Sequence, residues 1–186
     1  MKKLFSFPVM MALSLLLITS SCKKSDDPTP AAGSGSLNAG KSSMSFSNTG
    51  SFAGGTSFSA SNTPLTSAQS ITNALLRNVT LSASEVVGVN ARISSLLLVL
   101  PASASTASGN LVADFSLPNN ATILPTLTLT SSSGATQGIT YGSQTGTCTI
   151  TKLTSAEVEG TFTCVVKDVN GATTLSVTSG TFAGKF

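Results

Sequence analysis

The sequence predicts an all-β protein: an antiparallel sandwich of about eight to ten strands, with a closed β-barrel as the alternative. Three observations predict it. Short runs with period-two alternation recur along the chain, separated by Gly, Pro, Asn and Ser turns. Ser and Thr abound while only 9% of residues are charged, a composition that suits strands and loops. The segment 146–182 reads as three consecutive strands sharing one apolar face.

The chain opens with signals of another kind. Lys2 and Lys3 precede an apolar run from Leu4 to Ile18, of signal-peptide length and too short to span a bilayer. The run ends in Thr19, Ser20, Ser21 and Cys22. This resembles a bacterial lipoprotein signal, which implies cleavage before Cys22 and lipid on its sulfur. Thr19 departs from the aliphatic residue usual three places before the cysteine. Residues 1–21 are thus expected to be a signal peptide. Residues 22–40 form a lipidated Cys and flexible tether, poor in large apolar side chains beyond Pro28. Residues 41–186 form a single domain, large enough for a real core.

Within that domain Met44 and Phe46 alternate with serines in a first strand, and Gly54-Gly55 turns into a second through Phe58. From Thr66 to Leu76 the spacing of Ala68, Ile71 and Leu75 also fits a short helix. Val79 to Val86 alternates as a strand. Ile93 to Leu100 is apolar on both parities, as a strand covered on both faces would be, and Pro101 ends it. Leu111 to Leu117 is the next strand, and Pro118 to Asn120 a turn. The following strand, through Leu127 and Leu129, carries Pro125, which belongs at a sheet edge or strand start. Ser131 to Gly134 turns, and Ile139 to Gly142 leads into the C-terminal meander.

The meander has a readable register. Asn170-Gly171 favours a two-residue type I′ turn, pairing Val166 with Leu175 and Cys164 with Val177. A preceding turn centred on Ala156 puts Cys148 opposite Cys164 and Ile150 opposite Phe162. Cys148, Ile150, Phe162, Cys164, Val166, Leu175 and Val177 then share one face, and Thr149, Thr151, Thr161 and Thr163 the other. Opposed cysteines can close a disulfide, worth roughly 3 kcal/mol by chain entropy; two reduced core cysteines are the alternative. Pairing Cys148 with Cys164 leaves Cys22 for lipid. The apolar parity changes at Gly180, where a glycine bulge is expected.

The C-terminal half resembles a group of small Bacteroidota lipoproteins. The matching residues are Gly146, Ile150 and Lys152, then Gly160, Thr161 and Phe162, then Asn170-Gly171, and finally Gly180, Thr181 and Phe182. Cys148 stands where that group more often has an aliphatic residue. The resemblance supports a β-meander and an envelope setting and brings no activity. Lys23, Lys24, Asp26 and Asp27 look like the short charged tag of surface-exposed members, which implies display at the outer-membrane surface.

Little chemistry is legible. The chain has no His, which removes Ser-His and Cys-His nucleophile pairs. No catalytic, metal or cofactor-binding residue is assigned. Asp114 reads as a solvent-facing strand residue, and a calcium ligand is the weaker reading. Glu157 and Glu159 flank a tight turn and read as solvated carboxylates. The net charge of +3 includes Lys2 and Lys3 and forms no basic patch, so nucleic acid is not an expected partner. The expected protein is a non-enzymatic envelope lipoprotein that contacts the membrane through its anchor and a protein or glycan partner through its domain. The alternatives are a barrel carrying a small apolar ligand and an acid-pair hydrolase using two of Glu85, Asp114, Glu157, Glu159 and Asp168.

Overall fold

The computed structural model describes residues 34–115, 123–133 and 136–186. The expected signal peptide, Cys22 and the Pro118–Asn120 turn lie outside the described residues. After a 3₁₀ turn at Ser34–Ser36 the described residues form ten strands: β1 (Lys41–Phe52), β2 (Gly55–Ser61), β3 (Ser67–Thr72), β4 (Leu76–Val87), β5 (Asn90–Pro101), β6 (Leu111–Asp114), β7 (Leu124–Ser133), β8 (Thr136–Leu153), β9 (Glu157–Asp168) and β10 (Thr174–Lys185). They form one antiparallel sheet in the order β2-β1-β10-β9-β8-β7-β5-β4-β3, with β6 pairing β8 beside that path. The expected all-β fold is therefore observed, as one sheet curled into a half-barrel.

Curling brings the two ends of the sheet together around a single core. Met44, Phe46 and Phe58 from one end meet Leu81, Leu96 and Leu98 from the other, all fully buried. The Phe46 and Phe58 rings stack with centroids 5.0 Å apart, and Phe162 meets Phe46 edge-on at 6.1 Å. Burying one fully enclosed side chain of this size stabilises the fold by about 1.5–3 kcal/mol. Polar bonds also cross between the ends. Ser42 Oγ donates to the Ser82 carbonyl (2.7 Å), and Ala68 N–H donates to the Gly40 carbonyl (3.0 Å).

Several expectations are corrected. Residues 67–72 form strand β3, not a helix, pairing with β4 from Ser67↔Ser82 to Thr72↔Arg77. Ala68 is buried, but Ile71 and Leu75 are exposed, so their helical spacing marks no buried stripe. Strand β5 is covered on one face only. Leu96, Leu98 and Leu100 are buried, while Ile93 and Leu97 remain 39% and 37% exposed. The turn after β1 lies at Ala53-Gly54, one residue earlier than expected. Both residues have positive φ (48° and 87°), the requirement of a type I′ hairpin turn. Pro125 sits near the start of β7, paired with Leu98 of β5, and β8 joins β7 only from Thr128 onward.

The meander confirms one register and changes the other. Val166↔Leu175 and Cys164↔Val177 pair as expected. The turn between them differs: neither Asn170 nor Gly171 has positive φ. Asp168 N–H instead donates to the Thr173 carbonyl (2.9 Å), and the Asp168 carboxylate accepts from Asn170 N–H (2.9 Å). An Asx turn thus replaces the two-residue turn. Between β8 and β9 the pairs are Cys148↔Phe162, Ile150↔Gly160 and Gly146↔Cys164, two residues from the expected register. A four-residue turn from Thr154 to Glu157, held by Thr154 N–H donating to the Glu157 carbonyl (2.9 Å), accounts for one step. A register shift between Ile150 and Lys152 accounts for the other. An even displacement keeps every side chain on its face, so the predicted apolar set is buried.

The expected disulfide is corrected by the same shift. Cys148 stands opposite Phe162 and Cys164 opposite Gly146. Both cysteines are buried free thiols. The bulge in β10 lies between Val177 and Gly180, and its left-handed residue is Ser179 (φ 51°). Gly180 contributes space instead, because a side chain there would run into Phe162.

Candidate functional site

The outer face of β8, β9 and β10 gathers the most distinctive surface chemistry. Residues opposed across an antiparallel ladder share a face. Thr147 opposes Thr163, and Thr149 opposes Thr161. Thr161 opposes Thr181, which in turn opposes Ser45 on β1. The Ser45 and Thr181 hydroxyls lie 2.9 Å apart. A row of hydroxyls thus crosses four strands. Thr147, Thr161 and Thr163 are exposed. A shallow hollow of about 410 Å³ opens over Phe162 and Gly180 between these threonines. The hollow follows from the β10 bulge, which interrupts the ladder beside Phe162.

Charge borders this face without crossing it. Asp114, exposed on β6, opposes Thr147. Toward the β8–β9 turn, Lys152 reaches Glu157 at 2.5 Å and Glu159 at 3.4 Å. The hydrogen bond to Glu157 is the main influence holding the Lys152 ammonium above its ordinary value. The structure therefore does bring two of the five candidate acids together, around a cation. An acid-pair hydrolase needs one carboxyl held protonated at working pH. Here an ammonium is held between the two. Asp168 is engaged in its own turn. Among the described residues no group of three or more His, Cys, Asp or Glu side chains could hold a metal ion.

Glu85 belongs to a different site. It pairs with Arg92, inside the junction where the sheet ends meet. Burial pushes its carboxyl above the usual value, against the pull of Arg92. Arg92 Nη1 donates to the Phe52 carbonyl (3.1 Å), and its guanidinium lies over the Phe52 ring. Toward the other end of β4, Arg77 donates to the Thr154 carbonyl (2.6 Å) and to Ser70 Oγ (2.8 Å), and sits over Phe186. Both arginines are buried. Nothing in the motifs singles them out, yet parity would have found them: Arg77 is in phase with Val79 and Leu81, and Arg92 with Leu96 and Leu98.

The two buried thiols face the core. Desolvation pushes Cys148 and Cys164 up to about 12, which leaves almost no thiolate at neutral pH and makes them inert as nucleophiles. No family model matches the chain, and no curated protein or solved structure matches it either.

Proposed function

We propose that this chain is a non-enzymatic envelope lipoprotein, anchored by lipid on Cys22 and displaying its β domain at the outer-membrane surface as a binding or accessory module. The observation that supports this reading best is the hydroxyl-bearing face of β8–β10, with its hollow at the β10 bulge. Uncharged hydroxyls on a rigid sheet suit recognition of a neutral, hydrogen-bonding partner such as a glycan, or of a polar protein surface. Lys152, Glu157 and Glu159 are joined in ion pairs at one end of the face, and Asp114 leaves one exposed carboxylate at its border.

The test has two parts. Intact mass of the protein taken from its host envelope should show acyl chains on a chain starting at Cys22. Glycan-array binding and cross-linking on intact cells should then recover a partner that is lost on Thr161→Lys. Substrate turnover by the purified protein, abolished by Glu157→Gln or Glu159→Gln, would replace this reading with the hydrolase.

A further inference from the structure

The aliphatic side chains left in solvent are not scattered evenly. Leu65, Ile71, Leu75 and Leu76 are 57%, 66%, 78% and 43% exposed and fall within one short stretch. That stretch comprises β3, at the end of the sheet order, and the turns on either side of it. Ile71 and Leu76 lie on its outer face, opposite in phase to buried Ala68 and Arg77. A second aliphatic group, Val86, Val87 and Val89, marks the β4–β5 turn at the far end of β4.

The first group begins beside residues 38–41, close to the start of the described structure. Asn38 N–H donates to Asn62 Oδ1 (3.2 Å), the Gly40 carbonyl accepts from Ala68 N–H, and Lys41 Nζ donates to the Thr66 carbonyl (3.3 Å). Residues 38–41 therefore lie against the turn before β3 and its first residues. The Lys41 ammonium thus lies beside Leu65 at the margin of the aliphatic stretch, and Lys185 opposes Lys41 across β1 and β10. Aliphatic side chains bordered by ammonium groups match a phospholipid surface, where acyl chains lie beneath phosphates.

We propose that Leu65, Ile71, Leu75 and Leu76 seat on a phospholipid surface, with Lys41 and Lys185 against the headgroup phosphates. The orientation rests on the lipoprotein reading above, with residues 38–41 lying against the start of this edge. Such a seat would add a second contact to the lipid and hold the threonine face in a fixed attitude.

The experiment uses the chain from Lys23 to Phe186, which keeps every described residue and lacks Cys22. It is sedimented with vesicles of phosphatidylethanolamine and phosphatidylglycerol. Partitioning is expected. It should fall about tenfold or more on Ile71→Asp with Leu75→Asp, weaken with added salt, and stay unchanged on Val89→Asp. Circular dichroism checks that the variants, all at exposed positions, remain folded. Absent partitioning, or an equal loss with Val89→Asp, overturns the proposal. So does a dimer that Leu75→Asp dissociates without any vesicle binding. Mass of the host-derived protein reports the acyl chains separately. An unacylated Cys22 with vesicle binding intact sinks the anchor alone, and an acylated Cys22 without vesicle binding sinks the seat alone.

Discussion

Arg92 on β5 donates to the carbonyl oxygen of Phe52 on β1 across 3.1 Å, joining two strands that are not neighbours in the sheet. The same guanidinium pairs with Glu85 on β4, and Glu85 accepts from Ser59 N–H on β2 (3.4 Å). This junction ties the two ends of the curled sheet. Removing the cation would strand a half-buried carboxylate. Arg92→Met is therefore expected to destabilise the protein by about 3 kcal/mol, measured by urea denaturation. Adding Glu85→Gln should recover part of the loss. Additive losses would show that the two residues do not act together.

The thiols give a pH dependence with a definite sign. Cys148 and Cys164 titrate near 9 when unfolded and about 12 in the fold. The folded protein therefore holds more protons between these values. The stability tied to both thiols is fully present below about 9 and is lost as pH rises toward 12. Unfolding free energy of the reduced protein should fall above pH 9 by up to about 2.7 kcal/mol per pH unit for the pair. Cys148→Val with Cys164→Val should flatten that slope. A thiol reagent should label neither cysteine at neutral pH until the protein is unfolded.

Gly160 is where Ile150 and Phe182 converge. A side chain there would meet the Phe182 ring and the Thr149 carbonyl. Gly160→Ala should cost about 1–3 kcal/mol through overpacking, read from the urea midpoint. Adding Phe182→Leu should relieve part of it. An unchanged midpoint in the single variant would show that the core yields there freely.

Asp168 substitutes a side-chain acceptor for the expected type I′ turn. Asp168→Ala removes the bond to Asn170 N–H and should cost about 1 kcal/mol, whereas Asp168→Asn should be nearly neutral. Equal losses in the two would mean that charge, and not the Asx turn, matters at this position.

Much of this was legible in the residues. Alternation along β1, β4 and β9 shows which side chains go inward, because a strand offers only two faces. The threonine face was legible for the same reason: Thr149, Thr161 and Thr163 are out of phase with Ile150, Phe162 and Cys164. Even the mistaken β8–β9 register kept the faces correct, since it missed by two residues. The β3 segment was less readable. Ala68, Ile71 and Leu75 fit a helical period, and only pairing with β4 decides between the two forms.

Sequence by itself determined the strand faces of β1, β4 and the meander, the threonine-rich surface, the parity change near Gly180 and the expectation of an anchor at Cys22. All of these follow from local order along the chain. Tertiary structure decided the rest. The exact partner of Cys148 depends on a register shift beside Lys152 and a four-residue turn. The convergence of Glu157 and Glu159 on Lys152, the hollow beside Phe162, and the closure through Arg77 and Arg92 depend on how the sheet curls. Curling is set by bulges and by side chains packing from strands far apart in sequence, such as Met44 against Ser94 (2.7 Å). Local alternation carries no record of those distances.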